Sequence, residues 1–101
     1  MQIEINNQAD IANKYLRFAK WKLRRIHEKF EYLLYAEVLI SKEGSGKVEY
    51  KIVTRLGVPG HDIILNNRSS NIKMLWKTTM QDVQRYLRRY KQRATKSRVQ
   101  Y

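Results

Sequence analysis

Residues 11–30 read IANKYLRFAKWKLRRIHEKF, and the spacing within them decides the fold. Ile11, Tyr15, Phe18, Ala19, Leu23, Ile26 and Phe30 fall at spacings of three and four. At about 100° per residue these side chains occupy one stripe, which predicts an amphipathic helix over about 9–30. No Gly or Pro interrupts it. Asn6, Asn7 and Asp10 stand just ahead as candidate N-caps, with a negative charge for the first turn.

On either side of this stretch the period changes to two. Ahead of the helix, Ile3 and Ile5 alternate with Gln2 and Glu4, which predicts a short strand. Behind it, Ala36, Val38 and Ile40 share one face of a strand over about 35–41. Glu43-Gly44-Ser45-Gly46 reads as a flexible turn. Val48, Tyr50, Ile52 and Thr54 then share a face, until Leu56-Gly57-Val58-Pro59-Gly60 is expected to break that strand. Ile63 and Leu65 mark a third apolar run over about 62–65. Short connections make these three segments an antiparallel meander.

A second helical stripe follows at Ile72, Leu75, Trp76, Met80, Val83, Leu87 and Tyr90, predicting a helix over about 71–93. Ser69, Ser70 and Asn71 supply its N-cap. The expected fold is α+β, in the order β-α-β-β-β-α. Two helices pack side by side on one face of a four-stranded sheet, so that both stripes are buried. The layout is that of a double-stranded-RNA-binding domain, whose module runs α-β-β-β-α, with one strand added in front. Residues 1–93 are expected to form a single domain, and residues 94–101 a basic tail that frays.

Charge points to the partner. Lys and Arg number 21 against 9 Asp and Glu, a formal net charge of +12. Such an excess on a small body costs self-repulsion and favours a polyanionic partner. The apolar stripe of the first helix leaves Lys14, Arg17, Lys20, Trp21, Arg24 and Glu28 on the opposite side, with Lys22, Arg25 and Lys29 on its flank. In the second helix Lys73, Lys77, Arg85, Arg88, Arg89, Lys91 and Arg93 avoid the stripe. The two helices together are expected to present a broad basic surface, or a groove between them. Acids there are few: Glu28 and Glu31 near the end of the first helix, and Asp82 in the second. Trp21 sits among arginines, either free to stack on an unpaired base or covering the apolar stems of Arg17 and Arg25. Trp76, on the stripe, is expected in the core.

Other chemistries find little support. Without cysteine there is no disulfide, thiolate metal site or Cys nucleophile, which fits a cytoplasmic protein. His27 and His61 stand far apart, so no metal site is expected. Gly44-Ser45-Gly46-Lys47 lacks the spacing of a phosphate loop and lies between strands. The carboxylates form no acid–base pair, and Ser69 and Ser70 are better explained as caps than as nucleophiles. No enzyme activity, cofactor or small-molecule substrate is expected. No apolar run spans a membrane, and Met1-Gln2-Ile3-Glu4-Ile5 does not begin a signal peptide.

The element order and the two basic helices resemble the ribosome hibernation promoting factors. These are the ribosome-associated inhibitors, also called sigma-54 modulation or ribosomal subunit interface proteins. Met1-Gln2-Ile3-Glu4-Ile5 looks like the family's first strand. Lys22-Leu23-Arg24-Arg25-Ile26 is similar to its basic–apolar–x–basic–apolar segment, and Phe30 falls on its aromatic position. Val83-Gln84-Arg85-Tyr86-Leu87-Arg88-Arg89 resembles its apolar–x–Arg–x–Leu–x–Lys segment. Asp82 stands where the family often has a basic residue.

The resemblance implies a short-form member without a second, dimerising domain. Such a protein would bind small-subunit rRNA under stress and silence idle ribosomes by occupying the tRNA and mRNA channel. It makes Lys22, Arg25, Arg85 and Arg89 the rRNA contacts. Arg17, Trp21, Arg24, Arg88 and Lys77 extend that surface on the charge reading. Two other readings stay open beside it: a stand-alone binder of structured RNA, and a regulator docking on an acidic protein.

Overall fold

A computed structural model describes the backbone of residues 1–99 and the side chains of residues 1–91. The chain runs β1 (Gln2–Asn7), α1 (Asn13–Lys29), β2 (Tyr35–Glu43), β3 (Glu49–Val58), β4 (His61–Ser69) and α2 (Ile72–Val99). This is the expected β-α-β-β-β-α order. The strands lie in the sheet order β1-β2-β3-β4. β1 pairs in parallel with β2, and α1 is the crossover that such a parallel pair requires. β2, β3 and β4 form the antiparallel meander.

Strand alternation builds one face of the core. Val38 pairs with Thr54, which pairs with Leu65, and Ala36 with Leu56, all buried on the same side. Onto this face α1 brings Ala19, Leu23 and Ile26, and α2 brings Leu75, Trp76, Met80, Val83 and Leu87. Periodicity names nearly all of these residues. Thr79 of α2 is the addition, fully buried like Thr54, and neither hydroxyl has a hydrogen-bond partner among the described residues.

The boundaries differ from expectation for local reasons. α1 starts at Asn13, with Ala12 as an N-cap that offers no side-chain bond. Asn7 and Asp10 do other work than capping. The Asn7 carboxamide accepts from the Ile11 N–H and donates to its carbonyl, bracing the loop. Asp10 takes a left-handed turn at φ 54°. At α2 the expected cap holds: Asn71 Oδ1 accepts from the N–H groups of Lys73 and Met74, and Ser69 Oγ accepts from Asn71 N–H.

β3 does not break at Leu56 but runs on to Val58, and the turn is confined to Pro59-Gly60, with Gly60 at φ 93°. Gly57 stays in the strand because the Tyr35 ring lies across it, 2.0 Å from where a Cβ would stand. Val48 is an exposed loop residue ahead of β3. β4 extends through Asn66-Asn67-Arg68-Ser69, whose backbones pair with β3 whatever their polarity. α2 continues past Arg93 to Val99, since no Gly or Pro follows to stop it. Of the tail expected to fray over residues 94–101, the side chains and the whole of residues 100–101 lie outside the described residues.

Beyond α1 the chain docks on α2. The Tyr32 hydroxyl donates to the Leu87 carbonyl, and its ring packs 5.1 Å from that of Tyr90. Tyr90 in turn donates to the Pro59 carbonyl at 2.8 Å. The end of α1 is thereby held near Leu87 and Tyr90, while residues of its first half face the first half of α2. The two helices run in the same direction.

Candidate nucleic-acid interface

The two helices touch along one side and part above it to form a groove of about 590 Å³. α1 contributes Lys14, Tyr15, Phe18 and Lys22, and α2 contributes Lys73, Trp76, Lys77, Met80, Gln81 and Gln84. The spacings of three and four place each set on one flank of its helix. Tyr15, Phe18, Trp76 and Met80 supply apolar surface, and four lysines come from the two walls. Among the described residues no carboxylate lines the groove. Neither helix has an acid in its first turn. The positive ends of two parallel helix dipoles therefore lie together, near Lys14 and Lys73.

The nine residues expected to contact RNA fall into three groups. Lys22 and Lys77 line the groove from different helices, and Lys22 is half-buried. Arg25 continues the Lys22 flank, its guanidinium 5.6 Å from the ring of Trp21. Trp21 remains 54% exposed despite that contact, so it both covers an arginine and keeps an open face. Arg88 lies on the groove side of α2, one turn beyond Gln84, and is exposed.

Arg17 and Arg24 point away from the groove. Arg17 lines a shallow hollow with Asn13, Leu16 and Lys20, and Arg24 is exposed. Arg85 and Arg89 flank Tyr86 at 5.5 and 5.4 Å, on the side of α2 remote from α1. Arg85 also pairs with Asp82 at 3.0 Å. Asp82 accepts from the Asn67 amide of β4 at 2.9 Å, tying helix to sheet. The expected single face is thus a groove with two shoulders.

Phe18 is the correction to the core. Periodicity places it inside the stripe, but it is 45% exposed at the groove wall, 6.1 Å from Trp21. Its position at the stripe's edge, one turn before Lys22, is the signal that periodicity alone passes over. Gln81 and Gln84 carry no such signal and become groove residues only through helix pairing.

Charge is segregated between the layers. On the open sheet face Arg55 bonds Asp62 at 2.7 Å and lies 3.8 Å from Glu37, while Arg68 lies 3.8 Å from Glu43. Asp62 also accepts from the Tyr35 hydroxyl at 2.5 Å. That bond first, then the one from Arg55, holds the Asp62 carboxyl below the usual carboxylate range. The same bond pushes the Tyr35 hydroxyl up. Each group is held in its ordinary neutral-pH form, the reverse of what acid–base work requires. Among the described residues, Lys22, Arg24, Arg25, Lys77 and Arg88 have no carboxylate partner. Nor do three or more His, Asp or Glu come together there as metal ligands. Among the described residues no helix is long and apolar enough to cross a membrane.

Neither a family model nor a curated protein matches the chain in sequence. In three dimensions it is similar to a ribosomal subunit interface protein from Coxiella burnetii. The TM-score is 0.76 at 20% identity, over 90% of this chain and 98% of that one. It is also similar to the Protein Y N-terminal domain of Thermus thermophilus, with a TM-score of 0.73 at 15% identity, over 89% and 99%. The chain has the fold of these two solved structures over about nine-tenths of its length.

Proposed function

We propose that the protein is a ribosome-associated translation inhibitor of the hibernation type, acting in the cytoplasm. It lays its two-helix surface on small-subunit rRNA and fills the channel that tRNA and mRNA use. One observation carries this reading: cations without carboxylate partners gather on two parallel helices, while the sheet balances its own charge. Each phosphate neutralised there releases condensed counterions, which supplies affinity. The fixed spacing of the helices supplies fit to folded RNA, which is recognised mainly by shape. Lys22, Arg25, Lys77 and Arg88 form the centre of the contact. Arg17, Trp21 and Arg24 extend it on one shoulder, and Arg85 and Arg89 on the other. The action is steric, so no bond is made or broken.

The test is sedimentation of the purified protein with small ribosomal subunits through sucrose. Co-sedimentation at low salt is expected, and a Lys22→Glu/Lys77→Glu variant should remain at the top. Wild-type protein found only in the free fractions would reject the proposal. Equal affinity for a naked RNA duplex would favour a stand-alone RNA binder. A complex from lysate that survives nuclease would favour an acidic protein partner.

A further inference from the structure

The groove between the helices offers more than charge. A face that only met backbone phosphates would need no aromatic wall. Yet Phe18 and Trp21 are both about half exposed beside the cleft, and Tyr15 and Trp76 also line it or lie close by. Its volume, about 590 Å³, lies within the roughly 300–1,000 Å³ typical of clefts that enclose a small organic group. Three kinds of side chain converge on it: aromatic rings, lysines, and the carboxamides of Gln81 and Gln84.

We propose that this groove receives one unpaired nucleotide of RNA. Its base is held against Phe18 between the helices, its edge is read by Gln81 and Gln84, and its flanking phosphates lie against Lys14, Lys22, Lys73 and Lys77. The proposal rests on the RNA-binding reading above and adds the chemistry of what enters the cleft. A nucleotide carries the three complements required: a π-face for the rings, polar edge atoms for the carboxamides and phosphates for the lysines.

An acidic amphipathic helix satisfies only two of them. Its backbone is already bonded to itself, so only its side chains could reach the two glutamines. It also needs a row of anchor sites at helical spacing, whereas the apolar surface here surrounds a single cavity.

The experiment compares two RNA hairpins with the same stem. One carries a single bulged adenosine, and the other carries an abasic residue at that position. The phosphates are equal, so a difference in affinity reports the base alone. Wild-type protein should bind the adenosine hairpin about tenfold more tightly, equivalent to about 1.4 kcal/mol and within the range of a base stacked on an aromatic ring. Phe18→Ala should bring the ratio close to one, and Phe18→Tyr should restore it. Phe18 is half exposed, so these variants leave the buried core alone. Equal binding of both hairpins by wild type would overturn the proposal while leaving the RNA-binding reading standing. A ratio that survives Phe18→Ala would also overturn it, by putting the base elsewhere. Failure to bind either hairpin or small subunits would sink both readings together. Equal hairpin affinities with Phe18-dependent binding of an acidic amphipathic peptide would assign the groove to a protein.

Discussion

Removing one lysine from each wall of the groove tests the electrostatic reading quantitatively. In Lys22→Gln/Lys77→Gln the side chains keep much of their length and polarity, and only two charges are lost. Both lysines line the cleft and neither has a carboxylate partner among the described residues, so no internal ion pair changes. Each phosphate contact contributes about 0.9 to the fall of log affinity with log salt, so the double variant should have a slope shallower by about 1.8. From about 50 to about 200 mM salt, wild-type affinity should then fall about twelvefold further than that of the variant. The assay is equilibrium binding to small ribosomal subunits across that range, with thermal melts of both proteins to confirm equal folding. Parallel lines would refute the reasoning, because a weaker variant with an unchanged slope has lost something other than phosphate contacts.

Three further outcomes concern the scaffold. Thr54 is fully buried with an unpartnered hydroxyl, so Thr54→Val should stabilise the fold by about 1 kcal/mol in urea unfolding; a loss would mean that the hydroxyl has a partner. Asn71→Ala removes the acceptor for two N–H groups at the start of α2 and should cost about 1 kcal/mol, which Asn71→Asp should largely spare. Asp62 keeps its charge to lower pH in the folded chain than in the unfolded one. Its contribution is therefore fully present above the unfolded carboxylate pKa of about 3.9 and is lost as pH falls through the lower folded value. The melting temperature of wild type should drop more steeply below about pH 4 than that of Asp62→Asn, and identical curves would contradict the bond to Tyr35.

The alternation of Ala36, Val38 and Ile40, the stripe from Ala19 to Phe30 and the Asn71 cap are local signals, and each appears in the structure where the sequence puts it. What the sequence hides depends on distant partners. Nothing in Gln2–Asn7 says that it pairs in parallel at the edge beside β2, because that follows from how α1 crosses over. Gly57 reads as a strand breaker until the Tyr35 ring is seen lying on it. Asn7 and Asp10 have the composition of caps, but the loop from β1 must first reverse, and they serve that turn instead. The site was legible as a charge surplus on two helices. Its division into a groove and two shoulders was not, because a helical wheel fixes angles about one axis and not which flank meets a neighbour.

That division bears on how the cations should be ranked. Resemblance put Arg85 among the principal contacts, yet it is the helix cation held by Asp82. Asp82 itself is anchored, since its second oxygen accepts from the partly buried Asn67 amide and α2 is fastened to β4 there. The aspartate therefore stays in place, and what matters is how firmly it keeps the arginine. Arg85 is more than half exposed, and a solvent-exposed pair is worth only about 0–1 kcal/mol. A phosphate can take over the guanidinium at small cost, but it gains less there than at Lys22, Lys77 or Arg88, where no carboxylate competes. Asp82 thus lowers the charge of the outer shoulder without removing a basic residue, and it leaves the groove lysines as cations with no competing carboxylate among the described residues. A protein whose sheet is electrically balanced and whose helices are not will approach a polyanion helix face first, groove foremost.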